Sequence, residues 1–361
     1  MMSEKSKQHV EACRFCWMCH HICPIGNATG LERNTARARA LGLSLVNRGV
    51  LELSEVIDNI YECACCGACM TDCVTGWDPV MFTKEARQIA AMEWSLPEYI
   101  TKLVDNCLDA GNAYGITEVD ASLQEAMVRH EEKTSVLLFL GVDATYKVPT
   151  AAVNAIKVLE KAGVNFTVLA KEPASGQQLE YLISATNETK EQMAACAEEL
   201  NKFELVVVFD PQDMKVFKRE YKEWGVSLNT EVVSFTAYVA ELLKEEALKA
   251  ENSGKAVVYQ DPFQLSRDLG ETKEAREVIN AYAVCNEMLC NEKHTMWAGN
   301  ILMKEWMPEV IVDVAKNRIN NAKGVKADTI VTASVSEYAS LKAVEQEDVR
   351  IVALEELILG L

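Results

Sequence analysis

The 361-residue chain has no apolar run long enough to cross a bilayer, which takes about 20 residues. Its unbroken runs, such as Val136–Leu140 and Leu205–Phe209, are far shorter, so any membrane association is expected to go through a partner. The opening segment MMSEKSKQHVEAC lacks the apolar stretch of a signal peptide, and a reducing, cytoplasmic location is expected. Positive charge is scarce: 36 Lys+Arg stand against 54 Asp+Glu, a net charge of −18, which argues against a nucleic-acid partner. Also missing are a G-x-G-x-x-G after a strand, a G-x-x-x-x-G-K-[ST] loop and any nucleophile motif. No flavin or nicotinamide is therefore expected on this chain itself, and no catalytic residue is assigned. With 49% hydrophobic and 25% charged residues the chain is ordinary globular protein, sized for two or three domains.

Cysteine is what the chain has in excess. Of thirteen, eight form two copies of C-x2-C-x2-C-x3-C: Cys13, Cys16, Cys19, Cys23, followed by Pro24, and Cys63, Cys66, Cys69, Cys73, followed by Val74. A [4Fe–4S] cluster needs four thiolates, so two sets of four fit two clusters. In the bacterial ferredoxin run the fourth cysteine reaches across to the other cluster. By that rule Cys13, Cys16, Cys19 and Cys73 hold one cluster, and Cys63, Cys66, Cys69 and Cys23 hold its neighbour. Zinc and free thiols are the competing readings. Zinc sites usually take ligands as two separated pairs, whereas three cysteines at consecutive two-residue gaps crowd one loop. Disulfides would need an oxidising compartment.

Charge is unevenly spread. Residues 1–90 carry 9 Lys+Arg and 10 Asp+Glu, a balance of −1, which leaves −17 for residues 91–361. Arg33, Arg37, Arg39 and Arg48 lie between the cysteine runs. A four-thiolate cubane is anionic, so guanidinium groups beside it would raise its potential; a solvated helix face is the alternative.

The 39 residues between the runs read as helices, one over Glu32–Val46 and a second with Ser54 as N-cap. Helical patterning continues from Thr83 to about His130, broken by Pro97 and GNAYG. After residue 133 short β runs alternate with helices: SVLLFLG, a helix near Ala151–Ala162, NFTVLA, a helix near Glu188–Lys202, ELVVVFD, a helix near Met214–Trp224, then EVVSF. A second pass runs from AVVYQDP at Ala256 through Lys273–Tyr282 and TIVTASV to RIVAL and a last helix. Such alternation predicts mostly parallel sheets covered by helices. ELVVVFDPQDM matches DTIVTASVSEY, and EVVSFTAYVAELL matches VRIVALEELILGL, an internal repeat at an offset of about 120 residues. No Gly/Ser or Pro linker separates the two copies. The expected fold class is α+β and multi-domain: a helical ferredoxin over 1–95, a helical linker over 96–132, and two similar α/β domains over 133–250 and 251–361 in pseudo-symmetric arrangement.

CRFCWMCHHICPIGNATG, YECACCGACMTDCVTGWDP, LFLGVDATY, EPASGQQL, YQDPFQLSRDLG and MWAGN together resemble one family over nearly the whole chain. It comprises iron–sulfur oxidoreductases that join a helical double-cubane ferredoxin to two cysteine-rich CCG domains. Heterodisulfide reductase subunits and the iron–sulfur subunits of glycolate oxidase and anaerobic glycerol-3-phosphate dehydrogenase belong to it. The chain departs from the family at every CCG ligand position. Val142 stands where the family has the cysteine of F-x-G-C; Ala174, Ser175 and Gly176 replace the CCG triplet; Asp210, Pro211, Gln212 and Asp213 replace C-P-x-C. In the second domain Phe263 takes the cysteine place of D-P-C-H-L, the triplet falls in Thr295–Gly299, and the last pair in Ser334–Glu337. Since thiolates hold such clusters, the α/β half is expected to bind no iron and to reduce no disulfide. Asp210 and Asp213 read as a turn and helix cap rather than a hard-metal site. Cys65 reads as a spare thiol beside Cys66, and Cys107, Cys196, Cys285 and Cys290 as isolated small hydrophobes. His20 and His21 flank the first run.

The resemblance implies an electron-transfer subunit of a hetero-oligomeric oxidoreductase. Its partner would be an FAD-linked dehydrogenase or an electron-transfer flavoprotein, with other iron–sulfur subunits besides. A scaffold whose clusters only hold the fold is the alternative, and heterodisulfide reduction by this chain is a third, weaker one.

Overall fold

The computed structural model describes residues 2–14 and 16–361. Its N-terminal part is helical, with Glu4–Glu11, Ala36–Asn47, Leu53–Tyr61 and Pro79–Met92 as the main elements, followed by Glu98–Ala110 and Ala121–Val128. Local chemistry sets their ends. Thr35 and Asp78 cap their helices by accepting from the Ala38 and Met81 amides, and Gly111, at φ 75°, terminates Glu98–Ala110. Two expected boundaries shift. The stretch predicted as one helix from Glu32 splits into a 3-10 turn, Glu32–Asn34, and the helix capped by Thr35. The helix predicted to be capped by Ser54 starts at Leu53 instead, because Glu55 reaches back to accept from the Glu52 amide at 2.8 Å.

The rest of the chain forms two parallel sheets. Strands β1 (Val136–Phe139), β2 (Leu205–Val208) and β3 (Glu231–Ser234) pair in that order. Strands β4 (Ala256–Gln260), β5 (Val284–Asn286), β6 (Thr329–Thr332) and β7 (Arg350–Ala353) form the second sheet in the order β5-β4-β6-β7. VLLF and LVVV are buried at their last three positions, as strands covered on both faces require. The segment NFTVLA, expected as a strand, makes only a single bridge between Thr167 and Leu137. Beyond it the Val168 amide donates to His130 O instead of to β1, and the pairing ends. Sequence reading also passed over β5 and the long helix Pro308–Gly324.

The internal repeat is visible in the topology. Its first matched pair falls on β2 and β6, each followed by a helix whose N-cap side chain, Asp210 or Ser334, accepts a backbone amide. Its second pair falls on β3 and β7, each leading into a helix, Phe235–Lys244 or Leu354–Leu359. One apolar core contains Leu138 and Val207 of the first sheet, Val257, Val331 and Val352 of the second, and Ile156 and Leu159 of helix Pro149–Lys161 between them. Among the described residues no helix is long and apolar enough to cross a membrane.

The helical part is packed onto both α/β units. Ile22, Ile25, Ala64 and Ala68, around the cysteine runs, bury against Phe263, Trp297, Ile311 and Val314. Ile60, Tyr61, Phe82 and Leu103 share a second core with Leu179, Leu182 and Ile183. Through that seam runs Arg87, whose side chain is fully buried. Its guanidinium donates to Tyr181 O (2.6 Å), Cys63 O (2.7 Å) and Ile60 O (3.2 Å), and lies 4.8 and 4.7 Å from the ring centroids of Tyr61 and Tyr181. Removing it strands the Tyr181 and Ile60 carbonyls, while Cys63 O keeps the Tyr181 hydroxyl. Arg87→Met should therefore lose about 2 kcal/mol or more, measured by urea denaturation of the full chain against the parent protein.

Candidate metal centre

Each cysteine run folds as a loop leading into a short helix, Met18–Ile22 or Ala68–Thr71. Between the second and third cysteine of each run the backbone turns left-handed, at Trp17 (φ 69°) and Gly67 (φ 71°). This reversal brings the cysteines on either side toward one another, and glycine makes it without strain.

The eight cysteines surround two cavities. Cys13, Cys16, Cys19 and Cys73 line an outer one, with Cys69 also touching it. Cys23, Cys63, Cys66 and Cys69 line an inner one. The fourth cysteine of each run thus lies with the first three of the other. Cys16 is exposed, whereas Cys23, Cys63 and Cys66 are buried. Among the described residues no three His, Cys, Asp or Glu side chains converge as they would on a single ion.

Burial works against ionising these thiols as they stand. It raises Cys19 and Cys23 above the ordinary thiol range and pushes Cys66 up to about 12. Cys63 goes the other way, lowered by a hydrogen bond from Cys65, and at Cys73 burial is outweighed by hydrogen bonds from Thr75 and the Trp77 amide taken together, which lower it. Four thiolates in such a place need a cationic centre among them.

Arg39 is built for the charge such a centre would leave. It is 2% exposed and lines the inner cavity. One terminal nitrogen donates to Asn34 O at 3.0 Å, while its buried Nε–H has no hydrogen-bond partner. A buried, incompletely bonded guanidinium beside four cysteines fits an anionic cluster whose sulfurs accept from it. The other three arginines of this segment are engaged elsewhere. Arg33 pairs with Glu62, Arg48 with Glu11, and Arg37 with Glu32 while lying 3.8 Å over the Trp17 ring.

Cys65 lines neither four-cysteine cavity. It faces a polar cavity where the helical part meets both α/β units, beside Lys84, Glu180 and Lys215. His20 sits 3.6 Å from Glu32, and His21 is exposed. Cys107 and Cys196 are buried, as isolated cysteines often are, but Cys285 and Cys290 are only half-buried.

The positions where the resembled family has its CCG ligands also come together, and side chains other than cysteine fill them. In the first unit Ser175 Oγ donates to Asp213, and Asp210 accepts from the Gln212 amide at 2.9 Å. A Cβ on Gly141 would stand 2.3 Å from Asp213 Oδ2, so only glycine, at φ 87°, fits there. In the second unit Phe263 is packed into the core against Cys66, and Glu337 accepts from Gln260 and from the Ala298 amide. The two sets are knitted together: Ser336 Oγ donates to Asp143, Gln212 Nε2 donates to Asp143 at 3.0 Å, and Asn300 donates to Gln212 at 2.9 Å. Burial raises Asp143, Asp210 and Asp213 above the usual carboxylate range and pushes Glu337 up to about 8. Sequence reading singled out Asp210, Asp213 and the Ser334–Glu337 position but missed Asp143, which only the sheet topology brings to this place.

Comparison with known proteins bears on the same region. Residues 9–77 match the 4Fe-4S dicluster domain family. Over 96% of its length the chain is 24% identical to a protein named as a component of dihydromethanophenazine:CoB–CoM heterodisulfide reductase from Methanosarcina acetivorans, 94% of which is covered. It is equally identical, at 24%, to the protein of that name from Methanosarcina mazei, over 89% of this chain and 85% of that one. A solved structure of a hypothetical protein from Helicobacter pylori covers 99% of this chain and 72% of its own, with a TM-score of 0.51 at 13% identity, a likeness of fold alone. The chain is thus similar over nearly its whole length to an iron–sulfur subunit of the heterodisulfide reductase type.

Two outcomes follow. Arg39→Gln should leave the iron content unchanged but lower the midpoint potential of one EPR-detected cluster, because a positive charge that favours the reduced state is lost. Glu337 keeps its proton to about pH 8 when folded, whereas the unfolded chain loses it near 4.5. Its contribution to stability is complete below pH 4.5 and is lost as pH rises toward 8, since over that range the folded state binds more protons. Glu337→Gln should flatten that part of a stability-against-pH profile measured by urea unfolding.

Proposed function

We propose that the chain is the electron-transfer subunit of a multi-subunit oxidoreductase and relays single electrons through two [4Fe–4S] clusters. Cys13, Cys16, Cys19 and Cys73 hold the outer cluster, and Cys23, Cys63, Cys66 and Cys69 the inner one. The observation that carries this reading is the pair of four-cysteine cavities, each completed by the fourth cysteine of the other run. Interleaving of this kind sets two clusters side by side within one small module, as one-electron relay requires. When bound, each cluster supplies a reversible one-electron couple; the protein supplies the thiolates, the buried surroundings and the Arg39 charge.

A second centre able to pair electrons must then lie on a partner, and we infer a flavoprotein, either an FAD-linked dehydrogenase or an electron-transfer flavoprotein. Electrons reach another carrier from there or return to it. The α/β half, with its ligand positions filled by Asp, Ser, Gln and Phe, holds no cluster in this reading and acts as a rigid mount for the cysteine module. We take the domains at the limits expected from the sequence, with residues 96–132 joining the cysteine module to the first α/β unit.

Anaerobic purification followed by iron and sulfide analysis tests the count: about eight of each per chain are expected. Cys16→Ser and Cys66→Ser should each remove one EPR signal, and a different one. Clearly more than eight irons, or loss of both signals from each variant with the fold intact, would sink the assignment.

A further inference from the structure

The two cysteine runs are repeats of one loop offset by fifty residues, yet they meet different surroundings. Gly67 and Trp17 hold the same place, and so do Ala68 and Met18, and Val74 and Pro24. At Gly67 the missing side chain admits Arg267, whose Cδ lies 3.4 Å from where a Cβ would stand. Arg267 then donates to Cys66 O at 2.6 Å and to Lys293 O at 2.8 Å, closing the second run under the α/β half. Ala68 and Pro24 are likewise buried.

The outer cavity shows the reverse. Trp17 is 53% exposed, Met18 43% and Val74 87%, and all three line the cavity beside exposed Cys16. Trp17 also accepts a left-handed backbone, which is strained for so bulky a residue. Strain and an exposed aromatic together mark a place where the fold presents a side chain instead of burying it. The described residues lining this cavity include Arg14 and Arg37 and no carboxylate, on a chain whose net charge is −18.

We propose that this face, Trp17, Met18 and Val74 around Cys16 with Arg14 at the edge, is the docking surface for a flavoprotein electron carrier whose own docking face is acidic. The proposal rests on the relay reading above and assigns its entry point. The acidic body of this chain repels an acidic partner, whereas exposed Arg14 attracts it at this one place, Arg37 being paired with Glu32, so orientation is set before contact. The apolar trio then excludes water from the contact, with the indole as anchor. Per encounter one electron leaves the partner's reduced flavin and one is gained by the outer cluster, the flavin's released proton passing to solvent.

The test uses the full chain with its clusters in place and reduced flavodoxin, a small acidic flavoprotein, as probe in stopped flow. The Met18→Glu/Val74→Glu pair should keep the iron content and EPR signals of the parent protein while its second-order rate falls about tenfold or more. Arg14→Glu should lower the rate and weaken its dependence on salt. Trp94→Glu, at a residue 95% exposed elsewhere, should change neither. A Met18→Glu/Val74→Glu protein with full iron and a rate within about twofold of the parent overturns the docking surface and leaves the relay standing. So does a parent protein that takes no electrons from flavodoxin, or a loss of rate in Trp94→Glu equal to that of the pair. A parent protein that assembles no clusters overturns both readings.

Discussion

The structure hangs on one buried cation. Among the described residues Arg87 has no carboxylate partner; its two terminal nitrogens donate to three backbone carbonyls and its guanidinium lies over two tyrosine rings, while its Nε–H has no hydrogen-bond partner. Those carbonyls belong to the end of a helix of the cysteine module, to Cys63 itself and to the first α/β unit. Arg87 thus ties the backbone of Cys63 to the α/β half, and Tyr181 of that half reaches it directly, its hydroxyl donating to Cys63 O at 3.1 Å. A cysteine run that would otherwise be a surface loop is held from behind by a buried, directional contact that water cannot replace.

From that constraint the asymmetry of the two cysteine runs follows. Identical spacing makes two similar loops, and the α/β half covers one of them. The covered run carries glycine and alanine where the uncovered run carries tryptophan and methionine. Arg39 deepens the difference, since its charge lies at the inner cavity and the arginines of the outer one lie near solvent. The two four-cysteine cavities thus have unlike electrostatic surroundings, which is how a protein would tune the potentials of clusters held there without changing ligands.

The α/β half shows what a fold keeps when ligands go. The positions that the resembled family fills with cysteine still converge between the sheets. At and beside them lie Asp143, Asp210, Asp213, Ser175, Gln212 and Glu337, hydrogen-bonded within and across the repeat. Burial raises these carboxyls above their ordinary range. The network links the two units, since Gln212 and Ser336 both donate to Asp143.

Much of this was legible in the chain itself. The cysteine spacing, the helical stretches on either side of the second cysteine run, and the Val/Leu runs of β1 and β2 are all local signals, and so is the internal repeat. Ser54 and NFTVLA misled for local reasons too: a better cap lay at Glu52 with Glu55, and a chain of strand-like composition turned away after one bridge. What sequence could not provide is which chemically equivalent residues end up covered. Four arginines lie between the cysteine runs, and nothing in their spacing singles out Arg39 as the one buried at the inner cavity. Trp17 and Gly67 occupy the same motif position, and only the approach of Arg267, two hundred residues further on, makes one run interior and the other surface. Spacing along the chain fixes which residues can converge, because backbone geometry is local; exposure and charge environment depend on contacts between distant segments, and only the tertiary structure decides those.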